Sequence, residues 1–163
     1  MASSQMSTHS PTRVKWSPPP LILNFDGTTF KDIGRAGLGV VVCDSQGQPL
    51  ALLSERVPLP FFSDLVEALA TVRAISLALE IGCLSFILEG DLECVINTLS
   101  SNEDFLSPFG HILDSAKALT ESSCISFFHE CRLGNFVARR TSLDILGLKA
   151  RTKMRRFLYL CIN

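Results

Sequence analysis

Three strand-like segments follow one another between residues 21 and 56, and short connections join them. Leu21–Asp26 alternates apolar and polar residues, which is the period-two pattern of a strand with one buried face. Leu38–Asp44 is rich in valine, and Pro49–Arg56 follows a turn-forming Asp-Ser-Gln-Gly. Because strands joined by short turns run antiparallel, the sequence predicts a three-strand meander.

A long helix is predicted after the meander. Ser63 stands at the N-cap position, and the helical pattern runs to Ile81, where Gly82 supplies a stop. An alanine at every fourth position would let this helix lie close on the sheet; these alanines are Ala70, Ala74 and Ala78. A helical crossover leads to a parallel strand, so we expect Leu84–Leu88 to run parallel to an earlier strand.

Helices and one more strand are predicted in the rest of the chain. Asp91–Leu99 and Phe105–Leu119 have helical patterns, Ile125–Glu130 has a strand pattern, and Asn135 is placed to cap a final helix. The element order therefore predicts an α/β fold, with a mixed five-stranded sheet and helices packed on it.

The length of 163 residues suits one domain, and 47% hydrophobic with 19% charged residues indicates a globular chain. We expect a flexible leader over 1–20, a folded domain over 21–140 and a separate segment over 141–163. The leader lacks acids and is rich in Ser and Thr, so a transit peptide is the alternative. No apolar run approaches the roughly 18–20 residues that cross a bilayer.

Six cysteines occur without a CxxC pair. Most lie in apolar runs, where a free cysteine behaves as a small buried side chain. Cys124, His129 and Cys131 are close in sequence, but a zinc site needs a fourth ligand and better spacing. Reduced thiols in an intracellular, monomeric protein are the expectation, and the sequence leaves nucleus and cytoplasm open.

Charge is distributed unevenly along the chain. Residues 21–131 carry 5 basic and 15 acidic side chains, whereas residues 132–163 carry 8 basic side chains and Asp144. In the second segment an apolar stripe of helical spacing runs from Leu143 to Cys161, and a basic face lies beside it, formed by Lys149, Lys153 and Arg156. Such a helix would contact phosphates, an anionic membrane or a partner, or would pack on the sheet; packing on the sheet is the favoured reading.

Three acids stand at the ends of predicted elements: Asp26 after the first strand, Glu67 early in the long helix, and Asp91 after Leu84–Leu88. Carboxylates in such positions meet at one edge of a sheet and suit divalent cations. Taken singly, the same residues also fit a turn acid, a solvated helix charge and a helix N-cap. Their combination favours a metal site.

The combined motifs resemble a known family. The segments that carry the resemblance are Trp16-Ser-Pro-Pro-Pro, Leu23-Asn-Phe-Asp-Gly27, Ala36-Gly-Leu-Gly-Val-Val41, Glu67-Ala68 with the alanine stripe, and Leu88-Glu-Gly-Asp91. Together they are similar to the ribonuclease-H-like domain, in the plant type related to non-LTR retrotransposon reverse transcriptases. The resemblance covers roughly residues 16–138.

The resemblance implies hydrolysis of the RNA strand in RNA/DNA hybrids with two Mg²⁺ ions. Asp26, Glu67 and Asp91 match the first three metal ligands of the family. The fourth ligand follows Val-Ala in the family, and this chain has Arg139 there, a permanent cation without a lone pair for a metal. We therefore expect a nucleic-acid-binding ribonuclease-H-like protein with weakened activity. A non-catalytic nucleic-acid-binding module and a protein-interaction domain are the alternatives.

Overall fold

The computed structural model of the chain describes residues 20–91, 93–101, 110–121, 123–129, 136–143 and 158–162. Its strands are β1 (Leu21–Phe30), β2 (Arg35–Cys43), β3 (Pro49–Pro58), β4 (Ser85–Gly90), β5 (Cys124–His129) and β6 (Leu158–Ile162). Its α-helices are α1 (Ser63–Glu80), α2 (Glu93–Ser100), α3 (Gly110–Thr120) and α4 (Phe136–Leu143). No helix in these ranges has the length and apolar character needed to span a membrane.

The predicted mixed sheet is confirmed. Strands β1, β2 and β3 form the antiparallel meander, while β4 runs parallel to β1 and β5 runs parallel to β4. The order across the sheet is β5-β4-β1-β2-β3-β6. The parallel strands follow from the crossovers, because α1 returns the chain to the edge of β1 before β4 begins.

A sixth strand adds to the five that the sequence predicts. β6 pairs in parallel with Ala51–Glu55 of β3, so the predicted helix from Leu143 to Cys161 is wrong over 158–161. Leu-Tyr-Leu-Cys-Ile is apolar throughout, and the open edge of β3 offers unpaired backbone groups for such a segment. Residues 144–157 lie outside the described ranges.

The main core lies between the sheet and helices α1, α2 and α3. Leu23 and Phe25 point into it from β1, and the alanine stripe of α1 is fully buried against the sheet. Helix α4 covers the opposite face, where Ala138 packs on Val41 and Leu52. The sheet is thus enclosed by helices on both sides, as expected for an α/β domain.

The ends of α1 agree only in part with the sequence. Gly82 has a left-handed backbone (φ 75°), and its amide donates to the Leu79 carbonyl while the Cys83 amide donates to Ala78. This is the glycine-dependent stop that the sequence predicts. The predicted Ser63 N-cap is wrong: Phe62 is the N-cap residue, no side chain caps the helix, and the Ser63 hydroxyl bonds to Asp64 instead.

Two glycines let the helices approach the sheet at the same point from opposite faces. A Cβ on Gly27 would lie 2.9 Å from the backbone carbonyl carbon of Val66 in α1. A Cβ on Gly39 would overlap the Ala138 carbonyl oxygen and the Ser142 amide nitrogen in α4. Gly39 pairs with Asp26 across β1 and β2. Both helices therefore lie against the backbone beside Asp26.

Gly39→Ala is expected to displace α4, because backbone atoms rather than a flexible side chain occupy the space of the new methyl group. Overpacking of this kind costs about 1–3 kcal/mol. Hydrogen exchange should show a loss of protection over 136–143, with α1 unchanged as the internal control. Unaltered protection of α4 would show that the contact across Gly39 does not hold the helix in place.

Candidate active site

Asp26 lies within β1 and not at its end, so that part of the sequence prediction is wrong. The strand continues to Phe30 because the residues after Asp26 keep pairing with β2, and two of them are threonines, which favour strands. The parallel pairing of β1 with β4 extends only as far as Asn24 and Glu89. Asp26 consequently borders the opening beyond the carboxyl end of β4.

The three acids meet at this opening. Asp91 directly follows β4, and Glu67 extends from the second turn of α1, which Gly27 allows to lie against β1. One carboxylate oxygen from each of Asp26, Glu67 and Asp91 lies within 4.8 Å of the others. The structure therefore brings together three side chains that are 65 positions apart along the sequence from first to last.

A cleft open to solvent contains this cluster. It is lined by the three acids, by Gly27, Thr28 and Thr29, and by Arg139. Its volume of about 170 Å³ has room for a divalent cation with several waters, since one water needs about 10–15 Å³. Arg139 extends from α4, so its positively charged guanidinium lines the same cleft as the acids.

Asp26 is almost completely buried, with 4% of its surface exposed, and two hydroxyls contact one of its oxygens. Ser142 Oγ donates to Asp26 Oδ2 over 2.5 Å, and Thr28 Oγ1 lies 3.1 Å from the same oxygen. The two hydroxyls are 2.6 Å apart. Each hydroxyl has one hydrogen to donate, and both hydroxyls lie within hydrogen-bond distance of the same Asp26 oxygen.

Burial raises the pKa of the Asp26 carboxyl above its ordinary value. The hydrogen bonds from Ser142 and Thr28 lower this pKa, nearby Asp91 raises it, and the positive charge of Arg139 lowers it. Removal from water is the largest of these effects, because an ionised carboxylate loses its hydration when buried. The site therefore holds an acid whose charged form is costly unless a cation arrives.

His129 reaches the cluster from β5. Its Nε2 lies 3.2 Å from the backbone oxygen of Asp91, so the last residue of β5 contacts the residue after β4. The sequence places His129 only in a weak zinc pattern; the Cys124 side chain and Cys131 lie outside the described residues. The contact with Asp91 depends on the pairing of β5 with β4, which the local sequence does not show.

The three acids suit magnesium better than a softer metal. Carboxylate oxygens are hard ligands, and Mg²⁺ typically binds one or two carboxylates while keeping several waters and substrate phosphate oxygens. The cluster offers one oxygen from each acid in a cleft that water can enter. Asp26, Glu67 and Asp91 could therefore hold such an ion.

Sequence reasoning found the acids and Arg139 but missed the hydroxyls. Thr28 stands two positions after Asp26, on the same face of the strand, so its proximity to Asp26 could be predicted from the sequence. Ser142 is 116 positions away, and its contact needs α4 to lie over Gly39. The basic residues Lys149, Lys153 and Arg156 lie outside the described residues.

A family model matches most of the chain. The family is described as reverse transcriptase-like, and the match covers residues 24–143. The chain belongs to this family. The matched range includes all three acids, Arg139 and Ser142, so the residues that form the cleft lie inside the part of the chain that matches the family. No curated protein sequence matches the chain significantly.

Solved structures of ribonuclease H domains share the fold. RNase H1 from Halobacterium salinarum NRC-1 superimposes with a TM-score of 0.71 at 22% identity, covering 78% of this chain and 98% of its own. The N-terminal RNase H domain of a Mycobacterium tuberculosis protein gives 0.70 at 19% identity, covering 83% and 99%. LC11-RNase H1, solved with an RNA/DNA hybrid, gives 0.65 at 18% identity, covering 77% and 99%. The predicted ribonuclease-H-like fold is confirmed.

Asp26→Asn is expected to raise the melting temperature in metal-free buffer at pH 7.5. The asparagine oxygen still accepts from Ser142, and the costly buried charge is gone. In the unfolded state, the Asp26 carboxyl ionises near pH 4, which is the ordinary pKa of aspartate. In the folded state, it ionises only at a higher pH, because its pKa is raised. The folded state therefore loses relative stability as the pH rises towards the raised pKa of Asp26.

Thermal denaturation in EDTA at pH 7.5 and pH 4.5 measures this effect. The gain should be larger at the higher pH, with about 2–4 °C for each kcal/mol relieved. Asp114→Asn is the matched control, because Asp114 is an exposed acid on α3. A lower melting temperature for Asp26→Asn than for the native chain at pH 7.5 would contradict the account of Asp26.

Proposed function

We propose that this domain binds RNA/DNA hybrids and hydrolyses the RNA strand with Mg²⁺ at Asp26, Glu67 and Asp91. The observation that carries the proposal is the convergence of these three carboxylates within 4.8 Å, inside a domain of the reverse transcriptase-like family. The hybrid in the LC11-RNase H1 structure supports the choice of substrate. Selection of the RNA strand would depend on contacts to its 2′-hydroxyls.

The cleft suits hydrolysis of a phosphodiester. Asp26, Glu67 and Asp91 would hold a divalent cation, and such an ion would supply charge stabilisation and a more acidic bound water. In the reaction, the oxygen of a water would attack phosphorus and lose a proton, while the bond from phosphorus to one sugar oxygen would break and that oxygen would take a proton. The chain contributes orientation, because Asp26 is held by Ser142 and Thr28, and Asp91 directly follows β4 and contacts His129 through its backbone oxygen.

Arg139 makes the proposed reaction slow. Two-metal phosphodiester hydrolysis holds a second ion about 3.5–4 Å from the first and uses it to stabilise the leaving oxygen. A guanidinium has no lone pair for a metal, and its charge repels a cation in the same cleft. We therefore propose activity well below that of a four-carboxylate site.

A second candidate is binding of nucleic acid without cleavage. Arg139 in the cleft favours it, since a guanidinium binds phosphate oxygens but offers no ligand for a catalytic metal. The family match is compatible with both candidates. Cleavage assays on the native chain decide between them.

Asp26→Asn is expected to abolish cleavage of a labelled RNA/DNA hybrid in Mg²⁺. Loss of a carboxylate ligand removes several kcal/mol of transition-state stabilisation, which corresponds to at least about a 100-fold drop in rate. Asp114→Asn is the control and should cleave like the native chain. Equal rates for native protein and Asp26→Asn would exclude the proposed hydrolysis.

Arg139→Asp is expected to raise Mg²⁺-dependent cleavage, because it replaces the cation with a fourth carboxylate. The gain should be about tenfold or more at millimolar Mg²⁺, since one such ligand stabilises a second ion by more than 1.4 kcal/mol. Arg140→Asp is the matched control: Arg140 is the next residue of α4, exposed, and not part of the cleft lining. An equal effect of the two changes would show that net charge, not metal coordination, limits the rate.

A further inference from the structure

We propose that the cleft holds one divalent cation and that the Arg139 guanidinium binds the substrate phosphate in place of a second one. The ligand class is a phosphodiester of a nucleic acid backbone. This inference rests on the proposed function for the identity of the substrate. It gives Arg139 a role in substrate binding, in addition to its effect of weakening metal binding.

The hydrogen bonding of Asp26 supports a single ion. A carboxylate that bridges two cations uses both of its oxygens, one towards each ion. Asp26 Oδ2 accepts from Ser142 over 2.5 Å and lies 3.1 Å from Thr28 Oγ1. Both hydroxyls lie on the α4 side of the strand, so Oδ2 is occupied from that side. Oδ1 is the oxygen that remains for a metal.

The backbone of α4 reinforces this arrangement. Ser142 Oγ also lies 2.8 Å from the Arg139 carbonyl oxygen, and Ser142 is fully buried. Its hydroxyl is thus held between Asp26 and the turn of α4 that carries Arg139. The same helical turn fixes the Asp26 oxygen and presents the guanidinium to the cleft.

Arg139 is placed to receive a phosphate. Its side chain is exposed and lines the cleft, and its charge is close enough to lower the pKa of Asp26. A phosphate that enters the cleft would therefore meet this guanidinium beside the acids.

A guanidinium suits this role. It presents planar paired donors that bind two phosphate oxygens at once, and it stays protonated at any pH in use. Unlike a second metal ion, it cannot activate a water or coordinate the leaving oxygen. The arrangement therefore predicts firm phosphate binding with one metal, and slower chemistry than two metals give.

Calorimetric titration with Mn²⁺ tests the number of ions, without any need for turnover. The native chain should bind one ion, Asp26→Asn none, and Arg139→Asp two. A stoichiometry of two in the native chain would overturn the inference. Ser142→Ala adds a check on the role of Asp26 Oδ2: freeing this oxygen should not weaken the first ion, and a lost first ion would overturn the arrangement argued here.

Hybrid binding tests the role of the guanidinium. Fluorescence anisotropy in CaCl2 measures this binding, with the RNA strand checked for intactness after each titration. The Kd of Arg139→Ala should be about tenfold higher than that of the native chain, because a charged hydrogen-bond pair is lost. Arg139→Lys should recover part of the affinity, since lysine keeps the charge without the paired donors. Arg140→Ala is the control of equal charge and should bind like the native chain.

The outcomes separate this inference from the proposed function. If Arg139→Ala and Arg140→Ala bind equally well, Arg139 does not contact phosphate and the inference fails, whatever the cleavage rate. If the native chain binds one ion and loses affinity only with Arg139→Ala, yet never cleaves, the proposed hydrolysis fails and the inference stands. In that case the domain is a metal-dependent phosphate-binding module.

Discussion

A buried carboxylate dominates the organisation of this domain. Asp26 lies in the middle of a strand with 4% of its surface exposed, and an ionised group in that position is costly unless it is hydrogen-bonded or paired. Two hydroxyls supply part of the compensation. Under the proposed function, a cation that enters the cleft would supply the rest, because it would pair with the buried charge of Asp26. The proposal therefore places a cost in stability at the residue that would hold the metal.

The backbone around Asp26 explains why distant residues meet there. Gly27 and Gly39 lack the side chains that would hold α1 and α4 away from the sheet, so one helix brings Glu67 and the other brings Ser142 and Arg139. Strand β4 ends where β1 continues, which leaves an opening that Asp91 lines. The groups that line the cleft thus come from β1, α1, α4 and the residue after β4, and each of these other elements contacts β1. The chemistry at the cleft consequently depends on the packing of α4 as much as on the acids.

Much of this arrangement could be predicted from the sequence. Alternating strands, the alanine stripe of α1 and the stop at Gly82 each have a local physical signal, and they led to the correct sheet. The convergence of the acids followed from the strand ends, although β1 runs past Asp26. No local sequence pattern indicated the contact between Ser142 and Asp26, because this contact depends on how closely α4 can approach Gly39. The helix predicted up to Cys161 failed over β6, because pairing with the open edge of β3 outweighed a helical spacing.

The central claim is that Asp26, Glu67 and Asp91 form one cation site beside Arg139. Crystals soaked in Mn²⁺ and measured at the manganese absorption edge test it most directly. The account predicts a single anomalous peak, at about 2.0–2.2 Å from carboxylate oxygens of these residues, as expected for a small hard cation, with the guanidinium of Arg139 on the far side of the cleft. No peak at the cluster, or a pair of peaks bridged by Asp26 with its Ser142 contact broken, would contradict it.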